Sequence, residues 1–157
     1  DSTSSSSNEM MAGTSPSSPG KPSVNVLDPT TVNITWIEPF DNGGAPIISY
    51  TVTITKTSDS STQEFTVIDA LEFMFDSTKS IVAGTSYTAK VVANNFVTNY
   101  FAANTGADSA YTSFSTSVIP TTAPSLSASL ITSTSATVSW TLLTSNEQKG
   151  YSTSDPV

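Results

Sequence analysis

Cysteine, histidine and arginine are absent from this chain of 157 residues, and charged residues make up only 11% of it. Without cysteine there is no disulfide framework and no thiolate metal site, and without histidine the usual imidazole ligand and general base are missing. A Ser-His or Cys-His catalytic pair is therefore excluded, and the sequence has no G-x-S-x-G motif. We expect no enzyme activity, no cofactor and no bound metal.

Positive charge is also scarce. Five lysines oppose thirteen carboxylates, so the formal net charge is -8. Phosphate backbones and anionic membranes would be repelled by this charge. No run approaches the roughly 18 apolar residues that a membrane helix needs. These features exclude nucleic acid as a partner and argue against membrane insertion.

The carboxylates form two local groups, Glu38 with Asp41, and Asp69 with Glu72 and Asp76. A glycosidase would need such a pair on either side of a cleft, and a calcium loop would need a D-x-[DN]-x-[DN]-G spacing that is absent. We interpret both groups as solvated surface charge.

Residues 1–21 are dominated by serine, proline and glycine and hold too little apolar surface to offset the entropy of ordering. The composition predicts a linker between domains. It could be a bare tether or a mucin-like stalk with O-glycans on its hydroxyl residues.

From Pro22 onward, short runs alternate apolar and polar residues, as strands with one buried face do. No window of a dozen residues keeps helical spacing, so about seven strands in an antiparallel sandwich are predicted. The side chains expected to point inward are Val32, Ile34, Trp36, Ile48, Tyr50, Val52, Ile54, Phe65, Val67, Leu71, Phe73, Phe75, Tyr87, Ala89, Val91, Ala93, Phe114 and Val118.

The stretch from Pro22 to Pro120 resembles a fibronectin type III domain. The matching motifs are Trp36, the run "EPFDNGGAPIISYTV" and the corner run "SIVAGTSYTAKVVANN". The resemblance implies an all-β, seven-stranded, immunoglobulin-like sandwich, with Ile81 in the place of the usual leucine. It also implies that the Tyr87 hydroxyl ties the corner loop back. The fold alone does not specify a function.

A second copy begins near the end of the chain. "SATVSW" repeats "TVNITW", and Pro124 to Trp140 resembles Pro22 to Trp36. Residues 123–157 are therefore predicted to hold the first strands of a second, incomplete domain. Either the sequence is a piece of a longer repeat array, or strands from another molecule complete the half domain and link copies into a filament.

Two surface features are candidate sites. "NIT" makes Asn33 the only N-x-[ST] acceptor, on the outward face of its strand, where it is either glycosylated or a plain polar residue. A long loop after the sixth strand carries Phe96, Tyr100 and Phe101, with Tyr111 near its end. These aromatic residues could contact a protein or a glycan, or fold back as a lid over the sandwich.

The leading expectation is an extracellular structural or adhesive protein, a glycosylated array of sandwiches whose partners are neighbouring repeats or other copies. A second hypothesis is a non-catalytic carbohydrate- or ligand-binding module of a larger secreted protein, which would use the aromatic loop. A third is an intracellular scaffold that uses the same sandwiches as spacers.

Overall fold

A computed structural model describes residues 13–100, 106–118 and 123–142. The strands of the main body are β1 Ser23–Asp28, β2 Thr31–Thr35, β3 Ile47–Lys56, β4 Thr62–Val67, β5 Glu72–Asp76, β6 Ser86–Asn95 and β7 Thr112–Ser115. A 3₁₀ helix, Ser77–Lys79, follows β5, and a five-residue helix, α1 Phe96–Tyr100, follows β6. Two further strands, β8 Leu126–Ser129 and β9 Thr137–Trp140, come after the main body.

The seven strands form two antiparallel sheets. One sheet has the order β1-β2-β5 and the other has the order β4-β3-β6-β7. Apolar side chains alternate along the central strands, so each sheet turns one apolar face toward the other. The predicted all-β, seven-stranded, immunoglobulin-like sandwich is confirmed.

The core lies between these two faces. Val32, Ile34 and Phe75 from the first sheet are fully buried. Phe75 meets Tyr87 of the second sheet edge-on, with their ring centroids 5.5 Å apart. The alternation predicted for β6 is observed in full, because every second residue from Tyr87 to Asn95 is buried. This packing is the main source of the domain's stability.

Two of the predicted inward positions are wrong. Ile48 is 43% exposed because a β-bulge between Ile47 and Ser49 breaks the alternation at the start of β3. Leu71 is 41% exposed because β5 begins only at Glu72, and the Leu71 carbonyl instead accepts a hydrogen bond from the Trp36 N–H. The alternation of buried and exposed side chains holds only where a strand is regularly paired with its neighbour.

The corner before β6 is held by two side chains. The Tyr87 hydroxyl accepts a hydrogen bond of 2.9 Å from the Val82 N–H, as the corner motif predicted. Thr116, which is fully buried, donates to the Val82 carbonyl at 2.7 Å and accepts from the Thr85 N–H at 3.0 Å. Ile81 fills the core beneath them. The corner is thereby fixed to the edge of the four-stranded sheet formed by β6 and β7.

Residues 13–21, predicted as the end of a linker, lie along the sandwich instead. We call this segment the strap. Its backbone N–H groups donate to the segment that follows β2, Thr14 to Gly43 at 2.8 Å, Ser17 to Asp41 at 2.9 Å and Gly20 to Ile37 at 2.9 Å. Composition indicated a tether, but strand-like pairing with a partner about twenty residues away satisfies these backbone groups. Residues 1–12 lie outside the described residues, and for them the linker remains a prediction.

Gly43→Ala is expected to release the strap and to lower the free energy of unfolding by about 1 to 3 kcal/mol. Gly43 has a φ of +73°, and an added Cβ would lie 2.1 Å from the Thr14 carbonyl oxygen. Gly44→Ala is the matched control, because Gly44 is exposed and has a φ of +76°. Limited proteolysis of the strap and thermal unfolding would measure the effect. Equal effects of both substitutions would contradict the contact with Thr14.

Candidate functional site

The structure places Tyr111 apart from Phe96 and Tyr100, which are three of the four aromatic residues expected to form a contact surface. Phe96 and Tyr100 are the first and last residues of α1, at the end of β6, and Phe96 is 49% exposed. Tyr111 lies just before β7, beside Lys90, and is 57% exposed. The six residue steps along β6 from Lys90 to Phe96 span roughly 20 Å. Phe101 lies outside the described residues, so the predicted contact surface stays untested.

Tyr111 belongs to a different cluster, on the outer face of the four-stranded sheet. The Lys90 Nζ lies 5.8 Å from the centre of the Tyr111 ring and 2.9 Å from Asp108 Oδ2. The hydrogen bond from Lys90 to Asp108 raises the pKa of the Lys90 ammonium. Asp108 is held in place because it pairs with Val92 in an isolated β-bridge.

Asn33 lies at the centre of the outer face of the three-stranded sheet. Its pairing partners are Asn25 on β1 and Met74 on β5, and Thr35 lies two residues further along the same face. Among the described residues, Asn33 Oδ1 is one of two buried side-chain polar atoms without a hydrogen-bond partner. Asn33 alternates with the buried Val32 and Ile34, so it lies on the outer face of its sheet with the partly exposed Met74, although its Oδ1 is itself buried.

The acidic residues lie at opposite ends of the sandwich. Asp76 caps the 3₁₀ helix and forms an ion pair with Lys79 at 3.1 Å. Its hydrogen bond to Thr78 is the main cause of the lowered pKa of the Asp76 carboxyl. Glu38 and Asp69 line a shallow pocket beside Tyr50, whose pKa is raised by burial and by Glu38. Within the described ranges, no group of three or more Asp, Glu, His or Cys side chains could hold a metal ion.

Asn95, at the end of β6, is a buried hydrogen-bonding centre that the sequence did not reveal. Its Nδ2 donates to the Thr14 and Asn42 carbonyls, each at 2.8 Å. Its Oδ1 accepts from the N–H groups of Val97 at 2.9 Å and Thr98 at 3.2 Å, which caps α1. One side chain thus joins the strap, the loop between β2 and β3, and the start of the β6–β7 connection.

Strands β8 and β9 form an antiparallel hairpin with one apolar and one polar face. Leu126 pairs with Trp140 and Ala128 pairs with Val138, while serine and threonine occupy the alternate pairs. The apolar face is open to solvent, with Val138 55% and Trp140 62% exposed. An exposed apolar face of this kind marks a surface that packs against another element.

The register of this hairpin repeats that of β1 and β2. Adding 104 to each number of the pair Val24 and Ile34 gives Ala128 and Val138, and the same step takes Trp36 to Trp140. In the first hairpin the corresponding side chains are buried, with Ile34 0% and Trp36 5% exposed. The two hairpins therefore share sequence pattern and pairing but differ in what covers them. Residues 143–157, the rest of the predicted second copy, lie outside the described residues.

No helix in the described part of the chain is both long and apolar enough to cross a membrane.

The fold is similar to several solved structures. A human fibronectin type III domain solved in solution is 26% identical over 74% of this chain and 92% of its own, with a TM-score of 0.55. Domains d3-d4 of the rat CD45 extracellular region are 16% identical over 66% of this chain and 51% of theirs, with a TM-score of 0.53.

A third similar structure, domains A168-A170 of titin, is 22% identical with a TM-score of 0.55. The match covers 65% of this chain but only 32% of the titin fragment. Domains of this type are common modules of extracellular and structural proteins, and the family is generally non-catalytic. The sequence model of the fibronectin type III family matches residues 17–103, which is more than half of the sequence. The chain therefore belongs to the fibronectin type III family.

Proposed function

We propose that this chain forms part of an extracellular array of fibronectin type III sandwiches that acts as a spacer and assembly unit. The observation that carries the proposal is the hairpin β8–β9, which repeats the β1–β2 register at a spacing of 104 residues. A hairpin with this pattern cannot bury its own apolar face, since two strands do not form a stable core in water. It becomes stable when the remaining strands of a sandwich cover it.

The strap supports a spacer role at the other end of the sandwich. Three backbone hydrogen bonds and the Asn95 side chain fix the direction in which the chain approaches β1. The proposed array would therefore transmit orientation through this segment better than a free linker of the same length would. Neighbouring repeats or other copies of the chain are the proposed partners.

Mass spectrometry of the native protein, with peptide mapping of its C-terminus, tests the array. Peptides that run beyond Val157, and a protein mass well above 16.4 kDa, are expected if later strands of the same polypeptide complete the second sandwich. A mass near 16.4 kDa with self-association in solution would instead favour completion by another copy. A native protein of that mass that stays monomeric at high concentration would contradict the assembly role.

Glycosylation at Asn33 is part of the same proposal, and Asn33→Gln is expected to remove one N-linked glycan from the native protein. The Asn33 side chain makes no hydrogen bond to other described residues, so attachment of a glycan to Nδ2 would break none. Intact mass before and after enzymatic removal of N-glycans would measure the change. Asn25→Gln, on the neighbouring strand of the same face, is the control and should leave the mass of the glycan unaltered. A wild-type mass that the enzyme does not change would contradict the modification.

A further inference from the structure

The outer face of the four-stranded sheet contains a groove of about 450 Å³, within the range of small-ligand sites. Three strands and the β6–β7 connection contribute to it. The polar residues of its lining are Thr98 on α1 together with Thr51, Thr53, Glu64, Lys90, Asn94 and Asp108. An outer sheet face is usually flat and solvated, so a concave one needs a structural cause.

The cause is the way the chain returns from α1. Ser109 is buried beside β6, where its N–H donates to the Val91 carbonyl and its Oγ accepts from the Val91 N–H, each at 2.9 Å. Gly106 packs so closely that an added Cβ would lie 2.4 Å from the Ala93 carbonyl oxygen. These contacts hold one wall of the groove above the sheet. Thr53 points outward from β3 between Glu64 and Lys90 and is only 6% exposed.

The polar groups of the groove are held in place by one another. Asn94 Nδ2 donates to Thr51 Oγ1 at 2.9 Å and to Ser49 Oγ at 3.4 Å. The orientation of the amide is therefore fixed, and its Oδ1 has no partner among the described residues. Lys90 and Asp108 place a charged donor beside a charged acceptor, 2.9 Å apart. Groups that are ordered before binding lose less entropy when a ligand arrives.

The charges of the groove exclude several ligand classes. Two carboxylates, Glu64 and Asp108, outnumber the single cation Lys90, so an anion such as phosphate would be repelled. In the parts of the chain that the structure describes, no cluster of three or more acidic side chains offers a divalent cation enough ligands. Val92 is the one large apolar side chain in the lining, so an apolar peptide would gain little. A neutral ligand with many hydroxyl groups fits all three restrictions.

We propose that this groove binds a neutral pyranose unit of a glycan. The Lys90 ammonium would donate to one sugar hydroxyl and the Asp108 carboxylate would accept from its neighbour, since charged partners make the stronger hydrogen bonds to neutral groups. Thr51 and Asn94 would bind a further hydroxyl. Tyr111, which lies beside Lys90 and is more than half exposed, offers the face of its aromatic ring to the C–H groups of the sugar.

This activity goes beyond the spacer role, and it does not depend on a second domain. It also differs from the predicted aromatic contact surface, because its polar groups lie mainly on the sheet and on Asp108, with Tyr111 beside them. A glycan-binding face would let one array hold glycosylated chains, its own or those of another protein. Glycan released from the purified protein and glycans from other sources can be compared as ligands to distinguish the two.

An NMR titration of the 157-residue chain with the methyl glycosides of glucose, galactose, mannose and N-acetylglucosamine tests the proposal. At least one sugar is expected to shift the backbone amides of Thr51, Lys90 and Asp108 in a saturable way. Asp108→Asn should weaken binding by about tenfold, since it removes a charged hydrogen-bond acceptor. Thr51→Ala should weaken it by about fivefold, through the loss of one neutral hydrogen bond.

Thr55→Ala is the matched control, because Thr55 lies on the same face of the same strand outside the groove. It should leave the affinity unchanged, and the thermal midpoints of the three variants should show that each remains folded. Binding should survive both added salt and a chelator, as expected for a neutral ligand held without a metal. Absence of saturable shifts, shifts centred on Phe96, equal effects of Thr51→Ala and Thr55→Ala, or loss of binding with the chelator would each overturn the proposal.

Discussion

Asn95→Asp is expected to lower the free energy of unfolding by about 2 to 5 kcal/mol. The buried carbonyls of Thr14 and Asn42 each lose a hydrogen-bond donor, and an unsatisfied buried group costs about 1 to 3 kcal/mol. The amide of Asn95 makes four hydrogen bonds, two as donor and two as acceptor. A carboxylate of the same shape keeps the bonds that cap α1. It cannot donate to the carbonyls of Thr14 and Asn42, and it places negative charge against them.

The loss in the free energy of unfolding should become smaller as the pH falls. Burial and the two facing carbonyls should raise the folded-state pKa of Asp at position 95 by more than the N–H groups of Val97 and Thr98 lower it, so the folded-state pKa should lie above the unfolded value. The protonated form can still donate one hydrogen bond, so the variant recovers stability relative to the wild type as the pH falls through that raised pKa. Urea unfolding of the two proteins at a series of pH values measures the difference, in which the titration of their shared acidic residues cancels.

Asn94→Asp is the matched control for this result. Its amide donates to two hydroxyl groups, Thr51 Oγ1 and Ser49 Oγ. A hydroxyl can turn and donate to a carboxylate, whereas a carbonyl cannot. The neighbouring substitution should therefore change the free energy of unfolding by less than about 1 kcal/mol. Equal losses at the two positions would contradict the role assigned to Asn95.

The contrast between these two asparagines marks how far the sequence could predict the structure. Strands β2, β3 and β6 were predictable because one buried face imposes strict alternation, and the bulk of their inward residues was correct. Asn95 shares that alternation as a polar residue at the last inward position. Its partners Thr14 and Asn42 lie 81 and 53 residues away in the chain. A local sequence pattern does not predict contacts at such separations.

The candidate groove was hidden for a related reason. Thr51, Lys90 and Asn94 each fit the outward positions of an ordinary exposed strand. They become a site only because Asp108 and Ser109 return against β6. In the sequence, that return is part of a long loop rich in alanine, asparagine and glycine, which carries no strand periodicity. The aromatic residues of the loop indicated a contact surface, whereas the polar residues on the sheet gave no such indication.

The strap and Asn95 also bear on the proposed array. The strap reaches the same end of the sandwich as the loop between β2 and β3 and the start of α1, and one side chain holds all three. Tension on residues before Gly13 would load these hydrogen bonds before it loads the strands. The same hydrogen bonds therefore stabilise this end of the domain and orient the incoming chain. Asn95→Asp should weaken both effects.

Trp36→Ala should strongly destabilise this chain and Trp140→Ala should hardly affect its stability, although the two tryptophans end the same strand motif. Trp36 is 5% exposed and packs edge-on against Tyr50 with ring centroids 5.4 Å apart. Its replacement leaves a cavity, and the free energy of unfolding should fall by about 3 to 5 kcal/mol. Trp140 is 62% exposed, so its replacement should change that free energy by less than about 0.5 kcal/mol.

The second half of this prediction depends on what covers the hairpin β8–β9. Where a second sandwich is completed, Trp140 takes the position that Trp36 has in the first, and Trp140→Ala should then destabilise that sandwich by a similar amount. Urea unfolding followed by circular dichroism measures both losses without relying on tryptophan emission. In a Trp36→Phe background, the emission of Trp140 reports its surroundings directly. It should be that of a solvated indole in the isolated chain and shift to shorter wavelength in the native assembly, because burial removes water from the ring. Emission that stays that of a solvated indole in the native material would mean that nothing covers this face, and the repeat array would have to be abandoned.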